Sequence, residues 1–147
     1  MFLPESISDS TTFVTSESRR EYLLRTGGAT PHFLQGVYPF VGRDIFATVL
    51  LHEELTFVVP HGASAGIAYV RAGNSSDDLI YIVVFADEKP LRYFPLGPKA
   101  DSHVELAIVE PHPAGTEFSI HIGAPRGAAG AVILDIGLIV IGEDVAS

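Results

Sequence analysis

The sequence predicts one all-β domain, an antiparallel β-sandwich of eight or nine short strands. Three observations predict it. Apolar and polar residues alternate through 103–109 and 117–122, the period of a strand with one buried face. Turn signals rich in Gly, Pro, Asn, Asp and Ser recur at roughly 8–12-residue intervals, as they do in sandwiches and barrels. No helical segment alternates with the strands, which disfavours a parallel sheet of βαβ units.

Composition narrows the function classes. A chain of 147 residues suits a single domain, 1–147, that buries its core without disulfide or metal staples. Hydrophobic residues make up 47% and charged residues only 18%, against about 25% in ordinary soluble domains. A surface this short of charge is expected to rest partly against a copy of the chain in a homo-oligomer; the alternative is a well-filled monomer. The net charge of −9 repels phosphate, so neither nucleic acid nor an anionic membrane surface is an expected partner. The absence of cysteine removes disulfides, thiolate metal sites and cysteine nucleophiles. Met1-Phe2-Leu3-Pro4-Glu5 has no basic region leading into an apolar one, so no signal peptide is read and a cytoplasmic location is expected. The most apolar run, 131–141, is shorter than the ~20 residues of a membrane helix.

The elements follow in order. Residues 1–16 are Ser/Thr-rich and read as an N-terminal arm. Ser18-Arg19-Arg20-Glu21 matches a capping box, so 19–25 reads as one short helix before Gly27-Gly28; Tyr22-Leu23-Leu24 fits a strand as well. Prolines hem an edge-like strand at 31–39. The runs 45–51 and 55–59, joined by His52-Glu53-Glu54, are one bent strand or a hairpin. A strand at 67–70 stops at the polar turn 72–77, and 79–85 reads as a strand buried on both faces. Asp87-Glu88-Lys89-Pro90 turns the chain into a short strand at 91–94. The alternating segments 103–109 and 117–122 come next. After the small-residue loop 123–130, the run 131–141 reads as a central strand buried on both faces, flanked by the two alternating ones.

From about residue 57 to 142 the features resemble the galactose-binding-like jelly rolls of carbohydrate-binding modules. The residues concerned are Ile67-Ala68-Tyr69-Val70-Arg71, the polar turn and core strand after it, Ala114-Gly115-Thr116 leading into the alternating strand, and Leu134-Asp135-Ile136-Gly137-Leu138. The resemblance covers about half of the chain and rests on pattern. It implies a sandwich of jelly-roll type and permits a saccharide ligand. A TNF-like jelly roll has nearly the same pattern.

Candidate sites are few. A saccharide site combines an aromatic platform with planar polar side chains. The chain has no Trp, one Asn and one Gln, which leaves Tyr38, Arg92 and Tyr93 as ligand-binding candidates; ordinary sheet packing is the plainer reading. If 103–109 and 117–122 pair as a hairpin, His103, Glu105 and His121 share one face and suit a divalent metal, as in a cupin; the plainer reading is a solvated polar face. Asn74, Asp77 and Asp78 offer oxygen ligands to Ca²⁺, though without the order of an EF-hand; the plainer reading is a hydrophilic loop. Gly62-Ala63-Ser64-Ala65-Gly66 departs in spacing from a nucleophile elbow, and 123–130 lacks the Lys-Ser/Thr of a phosphate loop. Asp135 sits alone in an apolar strand, so it needs a partner such as Arg71 or Arg126, or a subunit interface.

The expectation is therefore a non-catalytic domain without a resident cofactor. It binds a saccharide or similar polar ligand. The alternatives are a structural subunit that meets copies of itself, and a metal-dependent, cupin-like enzyme.

Overall fold

The computed structural model describes residues 28–142. The expected arm at 1–16 and the helix-or-strand segment at 19–25 lie outside the described residues. Alternating side chains and frequent turns produce ten strands, with no helix among the described residues. They are β1 (Ala29–Val41), β2 (Asp44–Leu50), β3 (Thr56–Val58), β4 (Ala63–Asn74), β5 (Ile80–Ala86), β6 (Lys89–Leu96), β7 (Asp101–Glu105), β8 (His112–Pro113), β9 (Glu117–Ala124) and β10 (Ala129–Gly142).

The strands form two antiparallel sheets. One runs β1-β10-β4-β7, with β8 also on β4; the other runs β2-β9-β5-β6, with β3 also on β9. Because β2 and β3 both pair along β9, the two runs around His52-Glu53-Glu54 act as one interrupted strand. So do β7 and β8 along β4. The first strand thus pairs with the last, the second with the next to last, β4 with β7, and β5 with β6. Nested pairing of this kind, wound over two sheets, is the eight-stranded double Greek key of a jelly roll.

Period-two patterning places the core between the sheets. Val132, Leu134, Ile136 and Leu138 of β10 share one buried cluster with Ile80, Ile82 and Val84 of β5 and Phe118, Ile120 and Ile122 of β9. Each such side chain contributes about 1.5–3 kcal/mol by leaving water.

Three expectations are corrected. The segments 103–109 and 117–122 do not form a hairpin: β7 pairs with β4, while β9 lies in the other sheet. Pro111 lies between β7 and β8, and the chain crosses to the other sheet only after Pro113, through residues 114–116. Those segments therefore do not flank β10; β1 and β4 do. Nor is β10 buried on both faces throughout, since outward-facing Ile133 is 59% exposed. Its pattern stays apolar for another reason. Beyond a bulge between Gly137 and Leu138, the outward Ile139 packs into a second small cluster with Ala29, Ala68, Tyr69 and Ile141.

Prolines lie on three of the four sheet edges: Pro31 and Pro39 on β1, Pro90 and Pro95 on β6, and Pro113 on β8. A proline cannot donate to a further strand, so these edges resist pairing with another chain. The sheets' outer faces are left as the broad surfaces for recognition.

Candidate functional site

The outer face of the β1-β10-β4-β7 sheet is built around Asp135. Register aligns Gln35, Asp135, Arg71 and His103 in one row across four strands. Asp135 Oδ1 accepts hydrogen bonds from Gln35 Nε2 at 3.1 Å and from the Tyr69 hydroxyl at 3.0 Å. Its Oδ2 lies 3.6 Å from Arg71 Nη1. This is what a charge in an apolar strand requires: partners that replace its lost water. Of the two arginines the sequence offered, the register selects Arg71. Burial raises the Tyr69 pKa, and the hydrogen bond to Asp135 and its charge raise it further.

Two further rows flank this one. Phe33, Gly137, Tyr69 and Glu105 lie on one side; Val37, Ile133, Gly73 and Asp101 lie on the other. The Tyr69 ring covers Gly137. Nothing covers Gly73, and there the face sinks into an open depression of about 270 Å³. Arg71, Asp101, His103, Ile133 and Asp135 border it.

The outer face of the other sheet has a different chemistry. Leu50, His121, Val83 and Tyr93 form a row across β2, β9, β5 and β6. Tyr81 stands beside Gly123 and Pro95, and Phe85 beside Ser119 and Pro90. The His121 ring stacks on Phe85 at 3.9 Å and lies 3.1 Å from Ser119 Oγ. Burial lowers the His121 pKa, which favours the neutral ring. Tyr81 donates its hydroxyl to the Ile45 carbonyl at 2.7 Å, and Tyr93 lies beside it with ring centres 6.0 Å apart. Val83, in the middle of these rings, is fully buried, while Tyr93 is 60% exposed. Apart from Glu117 at one end, these outward positions carry no Asp, Glu, Lys or Arg. On edge strand β2, where the pairing with β9 is interrupted, Phe46 is 91% exposed.

The structure disperses the sequence-derived site residues. Tyr38 on β1 donates its hydroxyl to the Gln35 carbonyl, 3.0 Å away, and folds over Gly36. Arg92 and Tyr93 lie on β6, in the other sheet and on opposite faces of their strand; Arg92 meets Glu110 at 3.4 Å. These three residues do not converge. His103 and Glu105 lie on β7 and His121 on β9, so the proposed metal face is split between the two sheets. Among the described residues, no three His, Asp or Glu side chains come together in a way that would hold a metal.

Asn74 is buried and spends its side chain on its own loop. Its Oδ1 accepts from Ser76 N and Oγ, and its Nδ2 donates to the Asp78 and Gly97 carbonyls. Asp77 pairs with Lys99 at 3.5 Å. The residues missed at the sequence level are Gln35, Tyr69 and Gly73. They meet Asp135 or its neighbours only through register across strands, which no local pattern encodes.

No family model and no curated protein matches the chain. Among solved structures, the infectious bursal disease virus VP2 subviral particle covers 78% of this chain at 13% identity, with a TM-score of 0.46. The infectious bursal virus derived T=1 particle covers 78% at 10% identity, again with a TM-score of 0.46. The exo-β-1,3-galactanase of Phanerochaete chrysosporium with galactose covers 76% at 13% identity, with a TM-score of 0.35. This chain spans about a third of the length of each. The jelly-roll assignment rests on the strand order itself.

Proposed function

We propose that the chain is a structural subunit that associates with copies of itself through the outer face of the β2-β9-β5-β6 sheet. On this reading it acts by contact rather than by catalysis. The observation that carries it is the composition of that face: Leu50, Tyr81, Phe85, Tyr93 and His121 stand around the buried Val83, with no ionised side chain among them. Interface cores are depleted in charge and enriched in aromatic residues, and a few such anchors supply most of the binding energy.

Charge placement supports the same reading. The carboxylates at 53, 54, 77, 78, 87, 88 and 110 lie in turns and loops. Copies carrying a net −9 repel one another at long range, but that repulsion is screened beyond about 8 Å at physiological salt. At contact, the uncharged face adds no like-charge penalty, and burial of its apolar area favours association. The prolines on the sheet edges disfavour strand addition where they lie, while edge strand β2 carries none.

The absence of cysteine makes a footprint direct. Ser119→Cys places a thiol on the face beside Phe85, and Asp77→Cys places one on a loop whose native side chain is 86% exposed. Maleimide labelling at 119 is expected to slow as protein concentration rises, while labelling at 77 stays constant. Labelling at both positions that is independent of concentration defeats the reading.

A further inference from the structure

The edge formed by β2 and β3 lacks the proline that the other sheet edges carry. It also lacks most of the charge by which an exposed edge is otherwise blunted. Within β2 the only ionised residue is Asp44, at its start. The run Ile45-Phe46-Ala47-Thr48-Val49-Leu50-Leu51 holds no charge, Pro or Gly, and its β-branched and aromatic residues favour an extended chain. Phe46 is 91% exposed and Leu50 43% exposed. An edge of this kind is a template for a further strand.

The backbone shows which residues turn outward. The Leu51 N–H donates to the Ile120 carbonyl of β9 at 2.9 Å, and the Ile45 carbonyl accepts from the Tyr81 hydroxyl of β5. Odd-numbered residues thus turn their backbone groups to the sheet at both ends of the run. Alternation turns those of Phe46, Thr48 and Leu50 to the open edge. Ladder partners on β9 stand at Asp44, Val49 and Leu50, so the stretch between them bulges from the ladder. There Asp44 Oδ1 accepts from the Phe46 N–H at 2.9 Å, which keeps that outward donor satisfied while the edge is free.

We propose that β2 pairs antiparallel with β2 of a second copy, about a two-fold axis at Thr48. A contact of a surface with itself sets residue i against j and j against i. Centred on Thr48, it sets Phe46 against Leu50, Ala47 against Val49 and Ile45 against Leu51, and brings Arg43 opposite Glu53 at both ends. Asp44 comes opposite His52, whose Nδ1 accepts from the Glu54 N–H and whose Nε2 is left as the donor. Asp44 can then turn to that ring as the Phe46 N–H passes to the Leu50 carbonyl of the second copy. Neighbouring registers lose this match. Centring on Ala47 sets Asp44 against Leu50, and centring on Val49 sets it against Glu54. Opposite charges and apolar side chains facing across a strand pair stabilise it, and like charges do the reverse. The match is one of the edge with itself, so the occupant is a second copy.

This contact goes beyond the outer-face contact and does not depend on it, since Tyr93 lies on β6 at the far edge of the sheet. Sedimentation equilibrium on the full chain carrying Tyr93→Glu, which disables the outer face, reads edge pairing alone. A dimer is expected. Arg43→Glu and Glu53→Arg each set like charges against each other and should each weaken it by about tenfold; the double reversal should restore it. Both residues are exposed, and the restored dimer doubles as the control for folding. Thr48→Lys sets two ammonium groups on the axis and should weaken the dimer by about the same factor. A monomer in the Tyr93→Glu chain overturns the proposal. So does a dimer that none of these variants weakens, or a double reversal that fails to restore it. The outer-face reading stands or falls separately, on labelling at Ser119→Cys.

Discussion

Asp135 shows how one residue reports its surroundings. Its oddness in an apolar strand was legible, and so were its options, a pairing with Arg71 or Arg126 or a place at a subunit interface. Gln35 and Tyr69 were not, because each reaches Asp135 across a neighbouring strand. Asp135→Ala leaves the Tyr69 hydroxyl and the Arg71 guanidinium without their acceptor. A loss of about 1–3 kcal/mol in urea unfolding is expected, with a smaller loss for Asp135→Asn. His121 gives a pH signature. Burial holds its folded-state pKa below the unfolded value of about 6.5. Above that value both states are neutral and stability is complete. As pH falls through it, the unfolded chain takes a proton that the folded chain refuses, so stability falls until the folded ring is also protonated. Thermal midpoints followed from pH 8 down to pH 5 should show a fall that is shallower in His121→Gln (roughly the span over which His titrates). Parallel curves for the two proteins contradict it.

At the scale of the element, local chemistry was legible and register was not. Asp87-Glu88 reads as a turn and is one: a two-residue hairpin loop joins β5 to β6, with φ of 51° and 67°. Both angles are those of a type I′ turn, which prefers Asn-Gly. Glu88→Gly should therefore raise stability by about 0.5–1 kcal/mol in chemical denaturation. The run 131–141 was legible as a strand, but its covering was not. The bulge at Gly137 and the cluster around Ile139 depend on where β1 and β4 dock. Two glycines on this face give a paired prediction. Gly137→Ala drives a methyl into the Tyr69 ring and should cost about 1–3 kcal/mol. Gly73→Ala makes only ordinary van der Waals contact, with Asp101 and Ile133, and should be neutral or stabilising by up to about 1 kcal/mol. Equal destabilisation at both sites would contradict the distinction drawn between them.

For the molecule as a whole, strand content, turn spacing and the shortage of charge were legible from composition and pattern. The nesting of first strand with last was not, since it joins residues about a hundred positions apart, such as Gln35 and Asp135. That nesting decides which side chains meet: it splits His103 from His121 and places Tyr93 beside Val83 and Tyr81. It also leaves two unlike outer faces, one uncharged and aromatic, the other polar around Asp135. Leu50→Glu combined with Tyr93→Glu puts carboxylates on the first face. This should raise the apparent dissociation constant of self-association by about thirtyfold or more, with little change in monomer stability. Light scattering of the full chain across a dilution series reads this association without a label or a partner. Self-association predicts a mass that is a multiple of 15.7 kDa at high concentration and falls on dilution or on the double substitution. A single 15.7 kDa species at every concentration would contradict it.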